Sequence, residues 1–390
     1  MSSVAFNHIA TLVTNDTNLG EGILGVLREV NLVVENGNVA QISKSVPSGV
    51  DAEIDCSGKT LIPGFVDSHS HLIFAGDRAN EFDARSHGEK YSAGGITVTV
   101  NATRQASDQV LRTNAQLLLN EALSSGTTTM EIKSGYGLTP HDELRSIKIA
   151  SEFSEETTLL AAHVVPHEFK SKPDDYVKLI IEKIIPASQA KWIDVFCENG
   201  AFSVEQAEAI LRAGISRGMI ARIHANQLSA GKGVELAVKL KAASADHLSM
   251  SSDLDVELLA SSSTVATLLP GAEFSTQNKD KFGRRFLDAG ATVAIATDCN
   301  PGSSFTTSMP FCIAAAVGLL GFSVEEALKA ATAGGARALQ RSDIGHLGIG
   351  AKADLTLLHS PSYIHLAYRP GVNIVHSTYK SGRAVTKWQK

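Results

Sequence analysis

Short apolar runs alternate with longer amphipathic stretches through the middle of this sequence, and this rhythm constrains the fold more than any other feature. Runs at 64–67, 127–132, 158–163, 192–197, 220–224, 244–247, 264–269 and 292–298 read as strands, each followed by a helical pattern. Near-continuous apolar strands separated by helices are the pattern of parallel βα units buried on both faces. Repeated this often, such units predict an α/β fold with a closed TIM-like (β/α)8 barrel. A doubly wound open sheet is the structural alternative. At 390 residues the chain is long enough for such a barrel and a smaller companion.

The two ends of the chain read differently. Alternating apolar residues flank Asn36-Gly37, a strong two-residue hairpin signal. Residues 353–358 and 372–385 carry similar β-branched patterns. The expectation is a small β-sandwich domain built from both termini, residues 1–62 and 345–390, with the barrel at 63–344 between them.

The net charge is −6 and there is no basic block, which argues against nucleic acid or an anionic membrane as partner. No signal peptide is read at the N-terminus, and the run from Phe311 to Phe322 is too short to span a bilayer. Cys56, Cys197, Cys299 and Cys312 are scattered without a CxxC pair, which points to a reducing compartment and no cysteine metal site. A cytoplasmic protein is expected.

Chemistry in parallel barrels gathers at the C-terminal strand ends, and here those ends are polar. The first closes on His69-Ser-His71, the fifth on Arg222-Ile-His224, the sixth on Asp246-His247 and the eighth on Thr297-Asp298. Residues two apart on a strand share a side, so His69 and His71 can face one ion. An apolar strand ending in a bare Asp costs desolvation unless the carboxylate is paired or bound to a cation. His69, His71, His224 and Asp298 together suit one catalytic zinc or ferrous ion, with a position left for water. Asp298 would then act as the proton acceptor and donor, and His247 would steady an oxyanion. The fourth strand ends Asp194-Val-Phe-Cys197-Glu198, without a lysine; Lys133 belongs to the second.

Pro63-Gly-Phe-Val-Asp-Ser-His-Ser-His, the later His224, His247 and Asp298, and the tail from Gly345 to Leu355 resemble the amidohydrolase superfamily. Binuclear members carry a carboxylated lysine on strand four, so its absence implies a single metal. More specific stretches are His71-Leu-Ile-Phe-Ala-Gly-Asp-Arg78, Lys133-Ser-Gly-Tyr136-Gly, Ala161-Ala-His163, His224-Ala-Asn-Gln227 and Thr297-Asp298-Cys-Asn300-Pro-Gly302-Ser303. Through these, nearly the whole chain resembles the imidazolonepropionase family of histidine degradation. The resemblance implies hydrolysis of a ring C–N bond of 4-imidazolone-5-propanoate to N-formimino-L-glutamate. It implies Arg78, Tyr136, His163, Gln227, Asn300, Gly302 and Ser303 as substrate-binding, Asp298, His247 and Gln227 as catalytic, and a homodimer. Some members have Glu at the Gln227 position; Gln cannot be a base and can only orient substrate or water.

Each of these residues also has an ordinary reading. Arg78 could equally be a surface arginine paired with Glu81. Tyr136 could be a rim aromatic, His163 a core histidine, and Asn300-Pro-Gly a plain turn. An aminohydrolase acting on a nucleobase is the competing function, and a barrel that has lost catalysis is a third. A nucleobase needs no carboxylate clamp, so Arg78 with Tyr136 separates the first two.

Overall fold

Strands from both ends of the chain share one mixed sheet. The computed structural model describes residues 3–88, 95–278 and 280–387. Ser3–Val13 pairs antiparallel with Val26–Glu35, which pairs with Asn38–Ser43. On its other edge Ser3–Val13 runs parallel to Thr60–Pro63, which pairs antiparallel with Leu355–Leu358 and so joins the C-terminal strands. The turn between the second and third strands has Asn36 at φ 51° and Gly37 at φ 84°, the left-handed pair that a tight hairpin requires. Phe6, Leu32, Leu61, Leu355 and Tyr379 pack on one face of this sheet, with the Phe6 and Tyr379 rings edge to face at 5.0 Å.

The central rhythm forms the expected parallel strands. Phe65–Asp67 pairs with Thr127–Met130. Ile132–Lys133 pairs with Thr157–Ala162, followed in order by Trp192–Cys197, Ile220–Ala225, Ser244–His247, Val265–Leu268 and Val293–Ile295. The second strand is therefore broken at Glu131, whose N–H bonds Asp67 O at 2.8 Å while the chain changes partners. The sheet curls until its ends meet. Ser70 bridges Cys299 in parallel, Asp298 N bonds His69 O at 2.9 Å, and His71 N bonds Cys299 O at 2.9 Å. This closure excludes the open doubly wound sheet. His163 and Asp298 lie just beyond the regular strands, because the backbone leaves the ladder where the strand ends turn into loops.

Outside the barrel, helix Val204–Ser216 illustrates the local logic. Ser203 and Gln206 form a reciprocal capping box, and Ala207, Ile210, Leu211 and Gly214 form its buried face. Gly214 is needed there, since a Cβ would sit 2.7 Å from Ile193 Cγ2. The apolar run from Phe311 to Phe322 falls largely in the helix Met309–Leu319. Among the described residues no helix is long and apolar enough to cross a membrane. The four cysteines are buried and free.

Candidate active site

Strand closure brings the first and eighth strand ends together, and with them the first cluster of candidates. His69 Nε2 and His71 Nε2 are 3.3 Å apart, and Asp298 Oδ1 lies 3.5 Å from the former and 3.4 Å from the latter. The ring of His224 is 4.5 Å from that of His69, and His247 is 5.3 Å from His224. All five side chains are buried. His247 at φ 79° and Asp298 at φ 51° both hold left-handed backbone, a cost that non-glycine residues bear where the surroundings over-determine them, commonly at functional sites.

Beneath this cluster lies a charged floor. Asp246 Oδ2 accepts from His69 Nδ1 at 2.7 Å, and Asp194 Oδ2 lies 3.0 Å from His224 Nδ1. Lys133 Nζ donates to Glu131 and Asp194, each at 2.8 Å. Arg222 Nη2 is 3.5 Å from Asp246 and its guanidinium lies 5.4 Å from the Trp192 ring centre. Burial would raise the Asp194 and Asp246 carboxyls. His224 with Lys133 outweighs it at Asp194, and Arg222 with His69 at Asp246, so both stay ionised. Burial opposes the charge on Lys133, but Asp194 and Glu131 hold its pKa above the usual value. Asp67, which accepts from Thr297 N at 3.1 Å and from its hydroxyl, is pushed by burial to about 6.

The cluster has the donor chemistry of a metal centre. His69 gives its Nδ1 proton to Asp246, which turns its Nε2 toward His71 Nε2 and Asp298 Oδ1. His69, His71 and His224 can each bring one ligand atom within 4.8 Å of the others, as can His69, His247 and Asp298. Lone pairs gathered in a dry site repel unless a cation sits among them. Burial drives His71 and His247 toward their neutral form: it lowers His71 to about 4 and His247 well below its ordinary value. At His69, burial and Lys133 oppose protonation but Asp246 and Asp298 outweigh them. The residues therefore fit a divalent ion.

Above the cluster opens a small cleft. His71, His224, His247 and Asp298 form its base, and Arg78, Tyr136, His163, Gln227, Asn300 and Ser303 contribute to its sides. His69 lies under the base, and Gly302 faces an adjoining groove beside Arg78. Arg78 is not a surface residue: it is only 7% exposed, its Nε and Nη2 donate to Glu81 at 2.8 and 2.7 Å, and it lines the cleft. A Cβ on Gly302 would collide with its guanidinium. His163 is stacked on His71 with ring centres 5.3 Å apart, and its Nδ1 is 3.0 Å from Gly135 O. Burial with His71 and His224 keeps it neutral, so Nδ1 donates and Nε2 is left as an acceptor.

The Asn300 side chain is committed to its own loop. Its amide donates to Asp298 O at 2.6 Å, and its oxygen accepts the Gly302 and Ser303 N–H groups at 2.8 Å each. The Ser303 hydroxyl donates to Asp298 Oδ2 at 3.1 Å. Cys299, beside Asp298, is no nucleophile: burial pushes its thiol well above the usual range. Sequence reasoning missed the apolar walls Ile96, Val164 and Phe196. Phe196 was findable, because it shares strand parity with Asp194 and so faces the barrel interior.

A model of the amidohydrolase family matches residues 60–385. The chain is 55% identical over 392 residues to the imidazolonepropionase of Mycolicibacterium smegmatis, with 100% of this chain and 98% of the relative covered. It is 54% identical over 384 residues to the imidazolonepropionase of Rhodococcus jostii, covering 97% and 94%. Among solved structures it is similar to an atrazine chlorohydrolase from Arthrobacter aurescens complexed with zinc, at TM-score 0.74 and 17% identity, over 98% of this chain and 95% of that one. At that identity the likeness concerns the fold alone.

Proposed function

The chain belongs to the imidazolonepropionases of the amidohydrolase family, and from that premise we propose how its cleft hydrolyses 4-imidazolone-5-propanoate to N-formimino-L-glutamate. The observation that carries the reading is the meeting, in one small cleft, of His71, His224 and Asp298, with His69 beneath them, and the Arg78 guanidinium. Those four residues would hold one divalent ion, and three imidazoles with one carboxylate suit zinc or ferrous iron alike. Such an ion, when bound, supplies Lewis-acid polarisation and makes water reactive at neutral pH.

The protein's own groups do the rest. Arg78 offers its planar fork to the propionate carboxylate, and its pairing with Glu81 fixes that fork. His163 Nε2 accepts a ring N–H. Tyr136 and Gln227 orient the ring by hydrogen bonds. Asp298 accepts the proton of the attacking water and delivers it to the leaving ring nitrogen as the C–N bond beside the carbonyl breaks. The Ser303 hydroxyl holds Asp298 Oδ2 through this exchange. Neutral His247 donates to the carbonyl oxygen as negative charge develops there. Asn300 and Gly302 shape the loop that lets Arg78 reach the cleft.

The proposed division, 1–62 with 345–390 and then 63–344, leaves all these residues in the barrel segment. The proposed assembly is a homodimer, checked by sedimentation. The purified protein is expected to remove the ultraviolet absorbance of imidazolonepropionate. Turnover of guanine or cytosine analogues without turnover of imidazolonepropionate would instead establish the nucleobase reading.

A further inference from the structure

Two loops carry a side chain to the cleft, and each is built around one buried glutamate. Residues 134–138 carry Tyr136. Glu143, in the first turn of helix Pro140–Ser151, is fully buried, and its Oε1 accepts the N–H groups of Gly137 at 2.8 Å and Leu138 at 2.7 Å. Residues 226–229 carry Gln227. Glu198 Oε2 accepts the N–H groups of Gln227 at 3.1 Å and Leu228 at 2.9 Å, while its Oε1 accepts from Asn199 N at 2.9 Å and the Ser229 hydroxyl.

The two loops share a further feature. Leu138 at φ 54° and Asn226 at φ 53° are both left-handed. Curled backbone of this kind turns consecutive N–H groups toward one point, where an anion binds them. At Gly137 the fit is close enough that a Cβ would stand 2.7 Å from Glu143 N. Neither glutamate lines the cleft.

We infer that Glu143 and Glu198 are positioning residues, which set the substrate side of the cleft by clamping the loops of Tyr136 and Gln227. This rests on the function proposed above. Burial raises the Glu143 carboxyl while the Leu138 and Gly137 N–H groups pull it down, and an oxygen that takes two N–H groups makes a stronger acceptor as a carboxylate than as an amide. Substrate binding should depend on it, and metal retention should not.

The test uses Glu143→Gln and Glu198→Gln in the full, metal-loaded chain. Hydrogen exchange at 137–138 and 227–228 should quicken by about tenfold in the respective variant, with other segments unchanged. KM should rise by about tenfold, kcat should move less, and bound metal per chain should stay the same. Glu198→Gln should raise KM no further in a Gln227→Ala background. Unchanged local exchange overturns the inference, and this result can be read even if the wild-type protein fails to turn over imidazolonepropionate. Faster exchange with unchanged KM in both variants overturns it too, as does an equal rise in KM with Gln227 absent. Failure of the wild-type assay with faster local exchange would support the clamps while removing the proposed substrate.

Discussion

The floor of the barrel and the rim of its cleft solve the problem of placing polar groups in opposite ways. On the floor, Glu131, Lys133, Asp194, Arg222 and Asp246 are completely buried and answer one another across strands. On the rim, Arg78 leans on the partly exposed Glu81, and Tyr136, Gln227 and Ser303 ride on loops held by backbone N–H groups. A floor residue cannot be changed without leaving a buried charge uncompensated. Arg78 can be removed at smaller cost to the fold, because its partner Glu81 is partly exposed and water can take the guanidinium's place. On the function proposed above, the floor would carry stability and support the candidate metal, and the rim would carry the choice of substrate.

Breaking the comparison at its junction gives the largest effect. Asp298→Asn keeps the fold but loses a charged ligand and the base, and kcat should fall by about 10³-fold or more. Near-normal kcat would remove Asp298 from the mechanism. Next, Lys133→Met leaves Glu131 and Asp194 facing each other in the dark, and should cost about 3–5 kcal/mol in denaturant unfolding. A loss below about 1 kcal/mol would mean that the floor tolerates isolated charge better than buried pairs normally do.

On the rim, Arg78→Ala should raise KM by about 10- to 100-fold while the unfolding midpoint barely moves. An unchanged KM would place the carboxylate clamp elsewhere. The smallest effect concerns pH. Burial holds His163 and His247 well below the ordinary histidine value. The unfolded chain therefore takes up protons, below about pH 6.5, that the folded chain refuses. The stability these groups contribute is present above that pH and is lost as pH falls toward their folded values. Asp67 and His69, both raised, act in the opposite sense over this range, so the check is differential: His163→Gln in chelator-stripped protein should lose less Tm between about pH 7 and pH 5 than the unsubstituted chain, and a larger loss would contradict the assigned direction.

The sequence was most legible where chemistry and strand geometry coincide. His69 and His71 were readable because two residues apart means one side of a strand, and Asp298 because a bare carboxylate ends an apolar run. The barrel itself was readable from its strand rhythm, although the break at Glu131 was not, since a change of pairing partner leaves no mark on residue type. Lys133 shows another limit. The absence of a strand-four lysine was plain, yet Lys133 on strand two crosses to meet the strand-four residue Asp194. Such layering across a barrel interior depends on stagger between strands, which the sequence does not spell out. Glu143 and Glu198 were invisible for a different reason: their partners are backbone N–H groups, present at every residue except proline.

Metal content measured alongside turnover decides whether one divalent ion above this floor makes the cleft a hydrolase. After chelation and addition of zinc or ferrous ion, the protein should saturate at one ion per chain, with loss of imidazolonepropionate absorbance recovering in step with occupancy. Full turnover by metal-free protein, or recovery only at two ions per chain, would contradict it.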